Sequence, residues 1–323
     1  MAELYDGIGR HINYLRVAVT DRCNFRCQYC MPSDGVQWLE HDDILSYEEL
    51  VRIISAFVSL GVDKVRITGG EPLVRKGLLP FLREIACIPG IKEVGLTTNG
   101  SLLTEYAPLL KQAGVTRINV SLDTLQRERF IKLTGQDNLS QVLAGIKKSQ
   151  EVGLTPVKIN MVVMKGFNSD EIVDMAKLAI NNPYQIRFIE YMPFRAGENY
   201  LFTAEEMKQQ LVAAGFTNLI PQMGGSNPAK IYSMPGSQGS IGFITPVSQH
   251  FCSSCNRIRL TPDGYLKPCL LSNVEYSLRE QLRSGISDHD LLENIKNVVW
   301  NKPKQHYLAK GQKSDRGMSR IGG

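Results

Sequence analysis

No apolar run in the 323-residue chain approaches the ~18 residues that a membrane-spanning helix needs. The start, Met-Ala-Glu-Leu-Tyr-Asp, lacks the basic-then-apolar order of a secretory signal. A cytoplasmic protein with no membrane partner is therefore expected. Dense Lys/Arg runs interleaved with aromatic residues are missing too. The net charge of +5 falls well short of a nucleic-acid-binding composition, although it suits an anionic small ligand. There is no low-complexity tract. Seven cysteines, an odd number, argue against a disulfide framework.

Six of the seven cysteines fall into two groups of three. Cys23, Cys27 and Cys30 form C-x3-C-x2-C directly after an apolar, strand-like run. Cys252 and Cys255 form C-x2-C, with Cys269 further on. Cys87 stands alone in a helix-like segment and is expected to pack in the core. Thiolates at this density point to an iron–sulfur cluster or to zinc. Zinc normally closes with four ligands, and the first loop offers no fourth; His41 is the nearest candidate. A cubane held by three cysteines leaves one iron open to a ligand that is not protein. For the second group, a zinc ribbon completed by His250 is the alternative to a second cluster with an open iron.

The rest of the N-terminal part alternates. Strands are expected at 14–20, 64–68, 93–97, 116–121, 155–163 and 185–191, with helices between them. Ser46 and Glu49 have the spacing of a capping box for a helix reaching to about residue 60. Six βα units predict an α/β fold, an incomplete (β/α)6 TIM-like barrel. A C-terminal extension carrying a second iron–sulfur cluster would follow, with domains at 1–200 and 201–323. The extension is expected to hold a helix at 204–214, loops and short strands at 218–242, and helices at 275–283 and 290–299. In a barrel, ligands gather at the C-terminal ends of the strands. The first cysteine loop, Gly69-Gly70-Glu71-Pro72, residues 97–100, residues 121–123 and Met192-Pro193 all fall there.

The cysteine loop with Tyr29 before its last Cys, joined to Gly-Gly-Glu-Pro after the second strand, resembles the radical S-adenosylmethionine family. Two glycines would let backbone approach the nucleoside closely, and Glu71 would accept from its ammonium group. The run from Phe243 to Thr261, then Cys269 and the terminal Gly322-Gly323, resembles the GTP-cyclising branch that serves molybdenum cofactor biosynthesis. The match covers nearly the whole chain.

That resemblance implies two [4Fe-4S] clusters, on Cys23, Cys27 and Cys30 and on Cys252, Cys255 and Cys269, and no acid–base catalytic residue. A 5′-deoxyadenosyl radical would take hydrogen from C3′ of GTP, and C3′ would then join C8 of guanine. S-adenosylmethionine contacts are implied at Tyr29, Gly70, Glu71, Ser121 and Met192. GTP contacts are implied at Arg16, Lys64, Arg66, Thr97, Lys158, Arg187, Arg257, Ile258 and Arg259. A flavodoxin- or ferredoxin-type electron donor and a homodimer complete the expected partners.

Cations on strands that would otherwise be apolar support a triphosphate site. Arg257 and Arg259 alternate, so on a strand they share a face. Two departures touch no implied ligand, namely Asn227-Pro-Ala-Lys where Gly-Pro-Ala is expected and Tyr200 where Trp is common. Two rivals remain. A peptide-modifying radical enzyme would have more cysteines in its extension and no use for the strand cations. An electron carrier would have fully ligated clusters.

Overall fold

The computed structural model describes residues 3–31, 37–193, 200–222, 228–306, 314 and 316–322. Two compact units are present. One comprises Met1–Thr98, Leu109–Thr116 and Cys252–Gly323, the other Asn99–Pro108 and Arg117–Phe251.

In the first unit β1 (Tyr14–Ala18), β2 (Lys64–Thr68) and β3 (Glu93–Thr98) run parallel. Helices α1 (Tyr47–Ser59) and α2 (Leu78–Ala86) connect them. Ser46 caps α1 as its sequence predicts: its hydroxyl accepts from Glu49 N at 3.1 Å, and Glu49 Oε2 accepts from Ser46 N at 2.7 Å. Leu50, Ile53, Ile54 and Phe57 recur at the helical period and are fully buried.

The C-terminal segment supplies a further parallel neighbour, since β10 (Arg257–Leu260) pairs with the free side of β1. The short strands β11 (Tyr265–Lys267) and β12 (Tyr276–Ser277) then continue antiparallel. The helix expected from residue 275 therefore begins only at α8 (Arg279–Arg283), because Tyr276 is paired opposite Leu266. Helix α9 (Asp288–Trp300) follows, and α10 (Met318–Ile321) is a last short turn. Cys87 is exposed at the end of α2, so the core placement expected for it is corrected. The buried positions of that helix, Leu78, Phe81, Leu82 and Ile85, define a stripe that ends before Cys87.

The second unit repeats the pattern. Strands β4 (Arg117–Ser121), β5 (Lys158–Val163) and β6 (Gln185–Glu190) are parallel. Helices α4 (Arg127–Thr134), α5 (Leu139–Glu151) and α6 (Ile172–Asn181) lie between them in sequence. After α7 (Ala204–Ala213), β9 (Ser240–Ile244) joins β6 in parallel, and β8 (Ala229–Ser233) and β7 (Ile220–Pro221) continue antiparallel. Tyr200 meets Tyr191 edge-on at 5.5 Å. Asn227 lies outside the described residues.

Candidate active site

Strand alternation decides which side chains share a face. In the first unit, register sets Arg16 level with Arg66 on one side and Arg259 on the other, and Tyr14 level with Lys64 and Arg257. Arg257, Arg259, Arg16, Lys64 and Arg66 therefore project from one face of three adjoining strands. Thr97 belongs to the same face of β3, two residues beyond Gly95, which is level with Arg66. Its hydroxyl is buried and has no hydrogen-bond partner among the described residues. Ile258 alternates to the opposite face and is fully buried. Its side chain is core, so any ligand contact there falls to its backbone.

Five cations on one face repel one another. Burial, then Arg259, Arg66 and Arg257, hold Arg16 well below the ordinary arginine range, while Tyr14 acts in the opposite sense. Burial and Arg257 bring Arg259 down to about 10, against a smaller upward pull from Cys269 and Cys255. Both guanidiniums remain charged at neutral pH, so the face favours an anion. Arg66 is 4% exposed and already partnered. It donates to the Tyr14 hydroxyl, lies 3.4 Å from Glu93 and reaches the Leu96 carbonyl. Gly95 makes room for it, because a Cβ there would stand 2.7 Å from an Arg66 nitrogen.

The two cysteine groups also lie in this unit, and no cysteine is in a disulfide. Cys30 N and Met31 N both donate to the Cys27 carbonyl at 2.9 Å, folding the first loop into a tight turn. Gly70 N donates to the Thr20 carbonyl and Glu71 N to the Arg22 carbonyl, each at 2.8 Å, which binds Gly-Gly-Glu-Pro to the start of that loop. A Cβ on Gly70 would stand 2.6 Å from the Asp21 carbonyl, so only glycine permits this approach. Glu71 is fully buried. Its Oε1 accepts from Leu73 N at 3.0 Å and from the Thr98 hydroxyl at 2.8 Å, which rigidifies the turn.

In the second group, Arg257 lies 3.9 Å from the Cys255 sulfur. Burial pushes the Cys255 thiol up, but Lys302, Arg257 and Arg10 bring it down to about 7. Burial raises Cys252. Among the described residues no three His, Cys, Asp or Glu side chains converge closely enough for a single metal ion, as zinc would require. His41 is fully exposed beside Asp42. Three thiols in each group are the donor set of a polynuclear cluster, whose cysteines bind separate irons.

The described residues 316–322 pack onto the same unit. Arg316 pairs with Asp263 at 2.8 Å and with Glu275 at 2.7 Å. Ile321 is buried, and Arg259 donates to the Gly322 carbonyl at 2.5 Å. Gly323 lies outside the described residues.

In the second unit, Ser121, Lys158 and Arg187 lie on the equivalent polar face. Asn119 and Asn160 join them there, and the expected set lacks both. Arg187 donates to Asn119 Oδ1 at 3.1 Å, and Asn119 is level with Lys158. Asn160 is level with Ser121 and with Arg187, and its Oδ1 is buried without a hydrogen-bond partner among the described residues. The signal was a polar residue between the apolar Ile159 and Met161 of a buried strand. Met192 lies two residues beyond β6, half-buried.

Two family models match the chain: the Radical SAM superfamily over residues 17–179 and Molybdenum Cofactor Synthesis C over residues 184–308. The GTP 3′,8-cyclase of Peptoclostridium acidaminophilum is 47% identical over 322 residues, covering 99% of this chain and 98% of that protein. The chain belongs to the GTP 3′,8-cyclase family. Another member, from Moorella thermoacetica, is 45% identical over 99% of this chain and 100% of that protein. Family membership brings with it a [4Fe-4S] cluster and S-adenosylmethionine.

Solved structures share the α/β fold of this cyclase family chain. Streptococcus suis SuiB bound to S-adenosylmethionine matches with a TM-score of 0.60 and 15% identity, over 90% of this chain and 67% of that one. Native anSMEcpe with bound AdoMet gives 0.59 and 15%, over 95% and 87%. No helix among the described residues is long and apolar enough to cross a membrane.

Proposed function

We propose that this chain converts GTP to 3′,8-cyclo-7,8-dihydroguanosine 5′-triphosphate, the first step of molybdenum cofactor biosynthesis. The observation that carries this reading is the face of five cations on β10, β1 and β2, in the unit that also holds both cysteine groups. A triphosphate taken from water needs such a set to replace its counterions, and guanidinium forks suit phosphate oxygens.

Cys23, Cys27 and Cys30 would hold the first [4Fe-4S] cluster, and Cys252, Cys255 and Cys269 a second. With S-adenosylmethionine, this chemistry would supply a 5′-deoxyadenosyl radical to take the C3′ hydrogen of GTP; C3′ would then bond to C8 as the N7=C8 double bond opens, and one electron from the donor plus a proton would complete the 7,8-dihydro product. The chain's own residues position the reactants. Gly70 packs against the start of the first cysteine loop, which carries Tyr29; Ser121 and Met192 are nucleoside contacts that the family resemblance implies. Glu71 fixes the Gly-Gly-Glu-Pro turn through its cap and Thr98. Arg16, Lys64, Arg66, Arg257 and Arg259 bind phosphates; Lys158 and Arg187 are GTP contacts that the family resemblance implies on β5 and β6. The buried Thr97 hydroxyl is available to the substrate. Residues 1–200 would serve the nucleoside chemistry and 201–323 the second cluster. A small electron donor, cytoplasmic residence and a homodimer belong to the same reading.

The test is anaerobic reconstitution with iron and sulfide, then incubation with S-adenosylmethionine, a reductant and each nucleoside triphosphate in turn. 5′-Deoxyadenosine formation should rise with GTP over ATP. Equal yields would overturn the assignment.

A further inference from the structure

Behind the second cysteine group lie two buried cations that the catalytic reading leaves unused. Lys302, just past α9, is 6% exposed. Its ammonium donates to the Arg257 carbonyl at 2.9 Å and to the Pro268 carbonyl. These carbonyls belong to the residue two beyond Cys255 and the residue immediately before Cys269. One side chain thus ties together two cysteine-bearing segments that are 14 positions apart in the sequence. Arg10 is 7% exposed and does the same for the remaining cysteine. It donates to the Cys252 carbonyl at 2.7 Å, to the Pro303 carbonyl at 2.8 Å and to the Lys304 carbonyl at 3.1 Å. Asp6 holds it at 2.5 Å.

Burying an ammonium is costly unless it meets compensating charge. Among the described residues no carboxylate pairs with Lys302. Burial lowers Lys302, with Arg10 and Arg257 acting in the same sense, while Cys255 and Cys269 act against them to keep its charge. Three thiolates in one pocket would repel each other, and an ammonium fixed behind them offsets that repulsion. The same cation would favour adding an electron to whatever the thiolates carry, because cluster potentials follow local charge and hydrogen bonding.

We infer that Lys302 and Arg10 form a charged bracket that holds Cys252, Cys255 and Cys269 in register and raises the reduction potential of the cluster they carry. Both are positioning residues. The inference rests on the reading that this group binds a [4Fe-4S] cluster.

The experiment uses the full chain with Cys23, Cys27 and Cys30 changed to Ala, so that all cluster iron belongs to the second group. If this parent binds no cluster after anaerobic reconstitution, the two-cluster reading fails, and the bracket fails with it. If it does bind one, Lys302→Met should move the midpoint in an EPR-monitored redox titration to a more negative value. It should also lose iron to a chelator several-fold faster than the parent. Lys302→Arg, which keeps the charge, should stay near the parent midpoint. A Lys302→Met chain with the parent's midpoint and chelation rate overturns the inference while leaving the two-cluster reading intact. A variant that melts like the parent by circular dichroism yet takes up no cluster supports the holding role. Should Lys302→Met not fold, Lys302→Gln, which keeps a donor for the two carbonyls but removes the charge, carries the same expectation for the midpoint.

Discussion

Arg259 donates a hydrogen bond to the carbonyl of Gly322 across 2.5 Å, although 63 positions separate them in the chain. A guanidinium on the cationic strand face is thereby joined to the penultimate residue. Gly322 is held at the ends of β1 and β2, against Ala18 and Thr68. Gly322 has φ 79°, and a Cβ there would collide with the Thr68 hydroxyl and stand 3.0 Å from Ala18 Cβ.

Gly322→Ala should therefore disturb the tail without unfolding the protein. A non-glycine residue in the left-handed region with a steric clash costs of order 1–3 kcal/mol. GTP-dependent 5′-deoxyadenosine formation should drop about tenfold or more, since ~1.4 kcal/mol is a factor of ten. The thermal midpoint should hardly move. Wild-type turnover in this variant would mean that the tail is incidental to the reaction.

Arg66→Met removes a cation that Tyr14 and Glu93 orient. Charge-assisted hydrogen bonds are worth ~1.5–3 kcal/mol, so GTP affinity should weaken roughly 10- to 100-fold. Cleavage of S-adenosylmethionine without GTP should continue. Anaerobic equilibrium dialysis with labelled GTP measures the first quantity, and chromatography of 5′-deoxyadenosine the second.

Mutual repulsion among Arg16, Arg257 and Arg259 predicts that an anion stabilises the folded chain. GTP should raise the melting temperature more than guanosine does at equal concentration, and added salt should shrink the difference. A salt-independent shift equal for both ligands would show that the phosphates miss this face.

Cys255→Ala should abolish the GTP reaction and retain some uncoupled cleavage of S-adenosylmethionine. Cys27→Ala should abolish both. If Cys255→Ala still made the cyclised nucleotide, the second group would have no part in handling the substrate.

Glu49 connects helix capping to acid stability. Arg283 hydrogen-bonds its carboxylate and the Ser46 amide adds to this, so its pKa is lowered despite partial burial. A carboxylate lowered in the folded state contributes stability above its unfolded pKa and loses it as pH falls through the folded value. Glu49→Gln should narrow the gap in melting temperature between neutral and acidic pH. Ser46→Ala should cost about 1 kcal/mol at neutral pH. A scanning calorimetry series against pH checks both.

Periodicity and spacing by themselves determined a good deal. The three parallel strands of each unit, the Ser46–Glu49 cap, the two cysteine groups and the shared face of Arg257 and Arg259 follow from local rules of strand alternation, helix capping and ligand spacing. Other features required the chain to fold. β10 comes from the C-terminal quarter yet pairs with β1, and no local pattern encodes a partner more than 240 residues away. Ile258 became core because alternation turned it away from its two arginine neighbours. Cys87 turned out exposed because the buried stripe of α2 ends one residue short of the helix terminus. Lys302 reads in sequence as an ordinary basic residue in a polar tail. Only long-range hydrogen bonds to carbonyls beside Cys255 and Cys269 brought its charge behind the second cysteine group. Backbone geometry is local and legible in the sequence, whereas the desolvation and charge of a site depend on segments that tertiary packing alone brings together.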